Sequence, residues 1–384
     1  MDFYDSKKII LYTTNSIYEV SKQTGGIKRF IELAEYINKK YPMSVLYSRD
    51  DSNSVACHGF RNFIKLNDGN KLLEIFPPEV RFLLSNLSFI RKIKNSRYDR
   101  IIFFDVPTAI GPVLCGLNKV VLMIRKDIIG YEKVQNRRKS KWLKIGYQWV
   151  CESLCLMRAR LIVTQCNYDK NVLKERHPLL EKLIENKTVV QINNVNPSWI
   201  VTKSEKAEAN SRIREEAKIF KVCFIGGFGS PRKGQDLFLN AATEILRNHC
   251  DVQFVLIGGG GGIDEYKKKF ENENVIFLGR QENPIDILKQ CDLLVVPSYA
   301  DSCPNTVMEA LYNGVPVIGS RAGGIPEILL DEESLFDLRA SSLAEKINSL
   351  MDKPEMLRSM TKRQSLRKTE LSFNWAKRIT ELIC

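Results

Sequence analysis

Short β-branched runs alternate with helical stretches from one end of the chain to the other, and this alternation restricts the fold more than any other feature. In the first half "KKIILYTT", "MSVLYS", "RIIFF", "KVVLMI", "RLIVT" and "TVVQI" read as strands, and residues 27–39 as an amphipathic helix. The second half repeats the plan with "KVCFIG", "VQFVLIG", "NVIFLG", "LLVVP" and "VPVIG", separated by helices such as 235–248 and 263–272. Strands and helices in turn imply parallel sheets, because parallel neighbours need a long crossover that a helix supplies. The chain therefore reads as α/β. Its 384 residues, 44% of them hydrophobic, exceed what one core usually organises, so two domains are expected. Periodicity fails at "NNVNPSWIVTKSEK", from Asn193, where turn formers collect. A boundary near residue 200 gives a first domain over 1–200 and a second from 201, two doubly wound domains facing each other across a cleft.

Several functional classes recede on composition. No apolar run approaches the roughly 20 residues that span a bilayer, and the first thirty residues lack a signal-peptide core, so a cytoplasmic protein is expected. The ten cysteines form no Cys-x-x-Cys pair and there are three histidines, which suggests neither a zinc site nor a disulfide framework. The cysteines read as small buried hydrophobes. The formal charge of +13 is uneven, with +14 in residues 1–200, −1 in 201–384 and +10 in 91–144 alone. Something anionic is expected at that segment, the bland alternative being a solvated basic face.

In open parallel sheets ligands sit beyond the carboxyl ends of the strands. There, "FIGGFGSPRKGQD" follows a strand and opens a helix at Gly234, with Arg232 and Lys233 at the helix start, which suits a phosphate as well as it suits an ordinary turn. The five glycines 258–262 imitate a dinucleotide fingerprint, but Leu278 and Gly279 stand where a ribose-binding acid is needed. A flexible loop lining the cleft is expected instead. In "SYADSCPNTVMEALYNGVPVIGSRAGGIPEI", Thr306-x-x-Glu309 fits a capping box before a short helix stopped by Gly314, and the same helix start can attract a diphosphate. Nearby carboxylates can accept from sugar hydroxyls.

Ser298, Asp301, Glu309-Ala310, Gly314-Val315-Pro316-Val317 and Gly323-Gly324-Ile325-Pro326-Glu327 together resemble the nucleotide-sugar site of retaining glycosyltransferases of family 4, which have the GT-B fold of two Rossmann-like domains. The resemblance extends to Gly25-Gly26-Ile27, similar to that family's N-terminal glycine loop, and to "ARLIVTQCNYDKNVLKE". It implies a donor site of Gly227, Phe228, Arg232, Lys233, Arg280, Asp301, Asn305, Thr306 and Glu309. Glu309 would take the ribose hydroxyls, Asp301 the transferred sugar, and Asn305, Thr306 and Lys233 the diphosphate. Gly25 and Gly26 would form a phosphate or acceptor loop. The family usually has Glu at the position of Asp301, and its Arg ahead of the Lys falls near Phe228. Its N-terminal His falls in "IRKDIIG", which makes Arg125 and Asp127 the catalytic candidates beside Asp301. The resemblance further implies retention of configuration, a UDP- or GDP-sugar as substrate, no separate cofactor and no metal. It places residues 201–365 as the donor domain, 1–200 as the acceptor domain, and the tail 366–384, with Phe373, Trp375 and Ile379 at helical spacing, back on the first domain. A nucleotide-sugar epimerase, a non-catalytic sugar-nucleotide sensor and a nucleic-acid-binding protein are the competing readings, and no nucleic-acid motif accompanies the basic patch.

From Arg137, "RRKSKWLKIGYQW" wound as a helix sets Arg137, Lys141, Lys144 and Gln148 on one face and Trp142, Ile145 and Trp149 opposite. With Arg138, the cationic face is expected to be exposed and to meet an anionic membrane or acceptor; the helix can lie on an anionic bilayer, the bland alternative being that the tryptophans pack into the domain's own core. A glycan or lipid-linked acceptor at the inner face of the cell membrane would suit such a patch.

Overall fold

Strands with helices on both faces read as continuous apolar runs, since neither side reaches water. Ile9, Ile10, Leu11 and Tyr12 are accordingly all buried, as are Val120 to Ile124. The computed structural model describes residues 7–15, 17–18, 25–50, 59–67, 78–135, 141–195 and 219–384. The chain divides into two compact units, Met1–Ile192 with Asn374–Cys384, and Asn193–Phe373.

The first unit holds β1 (Ile9–Tyr12), β2 (Val45–Ser48), β3 (Phe63–Lys65), β4 (Arg100–Phe104), β5 (Val120–Ile124), β6 (Ala159–Thr164) and β7 (Thr188–Val190) in the spatial order β3-β2-β1-β4-β5-β6-β7. The second holds β8 (Phe220–Ile225), β9 (Val252–Ile257), β10 (Val275–Gly279), β11 (Leu293–Val296), β12 (Val317–Ser320) and β13 (Leu335–Phe336) in the order β10-β9-β8-β11-β12-β13. Every pairing is parallel. Both orders are those of a doubly wound, Rossmann-like sheet. The sequence reading missed β3 and β13 for a common reason. They are edge strands of three and two residues, too short to show an apolar run.

Three expectations shift. The division falls at 192/193 rather than near 200, and the chain returns to the first unit at 373/374 rather than after 365. Residues 366–371 finish the helix Pro354–Leu371, which is held in the second unit by Gln364 on Val317, Arg367 Nε on the Ile328 carbonyl at 2.6 Å and Lys368 Nζ on the Tyr312 carbonyl at 2.7 Å. The returning helix, Trp375–Ile383, buries Trp375, Ile379 and Ile383 in the first unit, and Arg29 lies 5.3 Å over the Trp375 ring. Phe373 precedes that helix and lies in the second unit. Of the cysteines, Cys250 is exposed and Cys115 and Cys384 are half-buried; the nine described ones are free thiols, and Cys57 lies outside the described residues.

Candidate functional site

In the second sheet the chain leaves β8 on one side and comes back beside it on the other at β11, so the loops after these two strands diverge and leave a crevice. The loop after β8 brings Arg232 and Lys233 on the short helical turn Pro231–Lys233, and the loop after β11 brings Asp301. The three meet. Lys233 Nζ is paired with Asp301 Oδ2, and Arg232 Nη1 lies 3.4 Å from the same oxygen while donating to the Ala300 carbonyl at 3.1 Å. Thus the groups expected to hold a diphosphate and a sugar satisfy one another directly. The Asp301 loop is shaped from behind by Gly323, whose φ is 59° and where a Cβ would stand 2.3 Å from the Asp301 carbonyl oxygen, so only glycine fits. That carbonyl accepts from the Gly324 N–H at 2.9 Å. Burial, then the Asp236 carboxylate, pushes neighbouring Tyr299 up to about 12. It stays protonated, and its backbone N–H donates to the Arg232 carbonyl at 2.8 Å.

The helix Asn305–Asn313 follows, with Pro304 at its cap and no side-chain cap bond. The expected capping box is therefore not formed, because Thr306 is already inside the first turn. Asn305 Oδ1 is buried with no hydrogen-bond partner among the described residues. Glu309 is half-buried one turn further, and Gly314 closes the helix in the left-handed conformation.

One expected donor contact and one expected loop are corrected. Phe228 is 4% exposed, its ring packed against Phe224, Tyr266 and Phe277, and its N–H is spent on the Gly259 carbonyl at 3.0 Å. It belongs to the core, since an aromatic ring after a strand end finds apolar neighbours sooner than a polar ligand. The glycine run 258–262 is no free-standing loop: a Cβ on Gly258 would meet the Gly226 carbonyl oxygen at 1.9 Å, so it is a backbone packed on the β8 loop. Gly227 accepts from Gln235 Nε2 at 2.8 Å, and Arg280 is exposed beside Gly259.

The first sheet has its own point of divergence between β1 and β4. A pocket of about 400 Å³ lies there, lined among others by Thr13, Asn15, Gly26, Asp105, Arg125 and Lys126. Gly26 and Arg125 thus fall together, with Arg125 Nη1 donating to the Gly26 carbonyl at 2.8 Å. Gly25 begins the helix Gly25–Lys40. Asp127 does not line this pocket. It accepts from the Gly130 N–H at 2.9 Å and is paired with Arg176, which also donates to Glu152 at 2.9 Å, while Glu152 accepts from His177 Nε2 at 2.7 Å. Burial pulls Arg176 down, but Glu152 and Asp127 more than reverse this and the net shift is upward. These contacts hold Asp127 in an ion-pair network with Arg176 outside that pocket. Asp105, which the sequence reading passed over, lines the pocket instead. Its signal was its place directly after "RIIFF", at the end of a central strand.

The basic patch is described only in part. Arg137, Arg138 and the Lys141 side chain lie outside the described residues, and Lys144 is paired with Glu132 at 2.7 Å. In the helix Lys141–Arg158 the tryptophans do not pack inward: Trp142 is 63% and Trp149 42% exposed, beside Leu143 at 82% and Val150 at 49%. The buried arc runs instead through Ile145, Cys151, Glu152, Cys155 and Leu156. Among the described residues no helix is long and apolar enough to cross a membrane, and no group of three or more His, Cys, Asp or Glu is placed to hold a metal ion.

Residues 219–353 match the family model described as Glycosyl transferases group 1. The spore coat protein SA of Bacillus subtilis is 23% identical over 394 residues, covering 96% of each chain. The UDP-Gal:alpha-D-GlcNAc-diphosphoundecaprenol alpha-1,3-galactosyltransferase of Escherichia coli is 24% identical over 283 residues, 71% of this chain and 70% of that one. Among solved structures, Anabaena Alr3699/HepE in complex with UDP shares the fold with a TM-score of 0.67 at 17% identity, over 98% of this chain and 99% of that one.

Proposed function

We propose, from the match of residues 219–353 to the family model described as Glycosyl transferases group 1, that the protein moves a sugar from a nucleoside-diphosphate sugar to a glycan or lipid-linked acceptor with retention of configuration. The observation that carries this reading is the meeting of Arg232, Lys233 and Asp301 at the β8/β11 divergence, next to the start of the helix Asn305–Asn313. Transfer leaves a nucleoside diphosphate carrying most of the developing charge. Two cations and a helix start suit that charge, each charge-assisted hydrogen bond contributing about 1.5–3 kcal/mol. Asp301 and Glu309 supply acceptors for the sugar and ribose hydroxyls. The leaving phosphate takes the proton of the incoming acceptor hydroxyl, so the donor unit needs no separate general base, and the reaction proceeds without an added metal.

The Escherichia coli relative's name specifies a UDP-sugar and a diphosphate-linked lipid acceptor, which supports the same chemistry here. The outward apolar face of Trp142, Leu143 and Val150 fits peripheral attachment to an anionic bilayer, where aromatic and aliphatic side chains enter the interface and basic residues meet the headgroups. The test is a thermal-shift series against UDP, GDP, ADP and their sugars, followed by product analysis. One nucleotide sugar should raise Tm by mass action and be consumed with formation of a glycoside. A shift with conversion only to the epimeric nucleotide sugar, or no shift with any nucleotide, refutes the reading.

A further inference from the structure

The helix Gln235–Ile245 starts at the crevice between the loops after β8 and β11, and three consecutive residues at its start each hold a different piece of chain. A Cβ on Gly234 would stand 1.9 Å from the Pro297 carbonyl oxygen, so the backbone here is packed on the residue that follows β11. Gln235 is fully buried, and its Nε2 donates to the Gly227 carbonyl at 2.8 Å, in the loop after β8. Asp236 Oδ2 accepts from the Tyr299 phenol at 3.3 Å, in the loop after β11. One helix turn therefore grips both loops where they diverge. The grip comes at the expense of stability, since Gln235 Oε1 and Asp236 Oδ1 are buried with no hydrogen-bond partner among the described residues. Polar side chains left half satisfied are unfavourable, and apolar ones would serve packing better, which marks the turn as shaped by the site rather than by the core.

Lys233 and Asp301 lie 68 positions apart, so their facing each other depends on how the two loops are tied. The Tyr299 N–H on the Arg232 carbonyl at 2.8 Å is one tie, and a single hydrogen bond is a pivot that leaves rotation free. Arg232 Nη1 on the Ala300 carbonyl at 3.1 Å is a second, but a diphosphate that recruits Arg232 takes it away. The phenol on Asp236 survives that exchange, because neither group is needed by the donor. It fixes Tyr299 at a second point, two residues before Asp301, on a helix that does not move with the loop. We propose that Gln235 and Asp236 are positioning residues of the donor site, Gln235 acting through Gly227 on the loop that carries Arg232 and Lys233, and Asp236 acting through Tyr299 on the loop that carries Asp301. Together they keep Lys233 and Asp301 at a set separation once the donor has parted them. This deepens, and rests on, the nucleotide-sugar reading above.

Steady-state turnover of the nucleotide sugar found by thermal shift, with calorimetry of the matching nucleoside diphosphate, tests this on the full chain. Tyr299→Phe removes one oxygen and Asp236→Ala the acceptor, and each should lower kcat about fivefold or more, the worth of one hydrogen bond, while nucleoside diphosphate affinity stays within about threefold. The double variant should lie within about twofold of the slower single one, because both remove the same contact. Asp236→Asn keeps an oxygen for the phenol and should recover kcat to within about threefold of wild type. Gln235→Met keeps the shape and should act at the other end, weakening nucleoside diphosphate binding about fivefold or more. Tm is followed throughout, so that loss of folded protein is not read as loss of positioning. Unchanged kcat in Tyr299→Phe, equal losses of kcat and nucleoside diphosphate affinity in every variant, or additive losses in the double variant overturn the proposal. These outcomes are read against a wild type that binds and turns over its donor; if wild type binds no nucleotide, the donor reading itself falls, and the positioning role with it.

Discussion

The contact between Lys233 and Asp301 makes an unusual demand of binding data, because the two residues should respond with opposite signs. Their side chains are 23% and 15% exposed, and Arg232 lies 3.4 Å from the same carboxylate oxygen. Exposed ion pairs contribute about 0.2–1 kcal/mol, while breaking a buried one costs about 3–5 kcal/mol. This half-buried pair falls between, at about 1–2 kcal/mol. A diphosphate that recruits Lys233 must first separate it from Asp301. Asp301→Asn removes that cost, so a nucleoside diphosphate without its sugar should bind about 5- to 30-fold tighter, at 1.4 kcal/mol per tenfold, while sugar transfer collapses. Lys233→Ala removes a charge-assisted hydrogen bond of about 1.5–3 kcal/mol and should weaken the same ligand by roughly 10- to 150-fold. The double variant completes a cycle whose coupling term should be about 1–2 kcal/mol. Titration calorimetry at fixed pH and low salt measures all four proteins. Weaker nucleoside diphosphate binding by Asp301→Asn, or a coupling term near zero, would refute the reasoning.

Glu309→Gln should lower nucleotide affinity about tenfold with little change in Tm, since Pro304 rather than a Thr306–Glu309 box begins the helix; unchanged affinity places the ribose elsewhere. Turnover of the nucleotide sugar should continue in EDTA, and loss of activity restored by Mg or Mn would contradict a charge-neutralising site made of Arg232 and Lys233. Sedimentation with anionic vesicles should weaken with salt and fall at least tenfold in Trp142→Ser/Leu143→Ser, given about 1.5–3 kcal/mol for burying each large apolar side chain; equal binding of the variant rules this face out. Glu152→Gln leaves Arg176 and His177 without their shared buried carboxylate and should cost about 3 kcal/mol. A melting curve unchanged within a degree would show that network to be dispensable.

The sequence by itself determined the fold class, the two sheets, eleven of the strands and the region of the donor loops, because these depend on local periodicity and on turn residues close together in the chain. Arg232, Lys233 and Asp301 were legible as individual candidate residues. Tertiary structure decided their pairing, since 68 positions separate Lys233 from Asp301 and only the β8/β11 adjacency joins them. It likewise put Phe228 in the core, left Asp127 outside the pocket that Asp105 lines, and turned Trp142 outward. In each case the residue type and its neighbours in sequence allowed two environments of similar merit. The helix Lys141–Arg158 is the plainest instance: wound at about 100° per residue it offers two usable faces, and the one that turns inward is the one whose Glu152 reaches Arg176 and His177 and whose Cys155 and Leu156 reach the core of the first sheet. Those partners come from distant parts of the chain, so the choice between faces is a property of packing that no local pattern encodes.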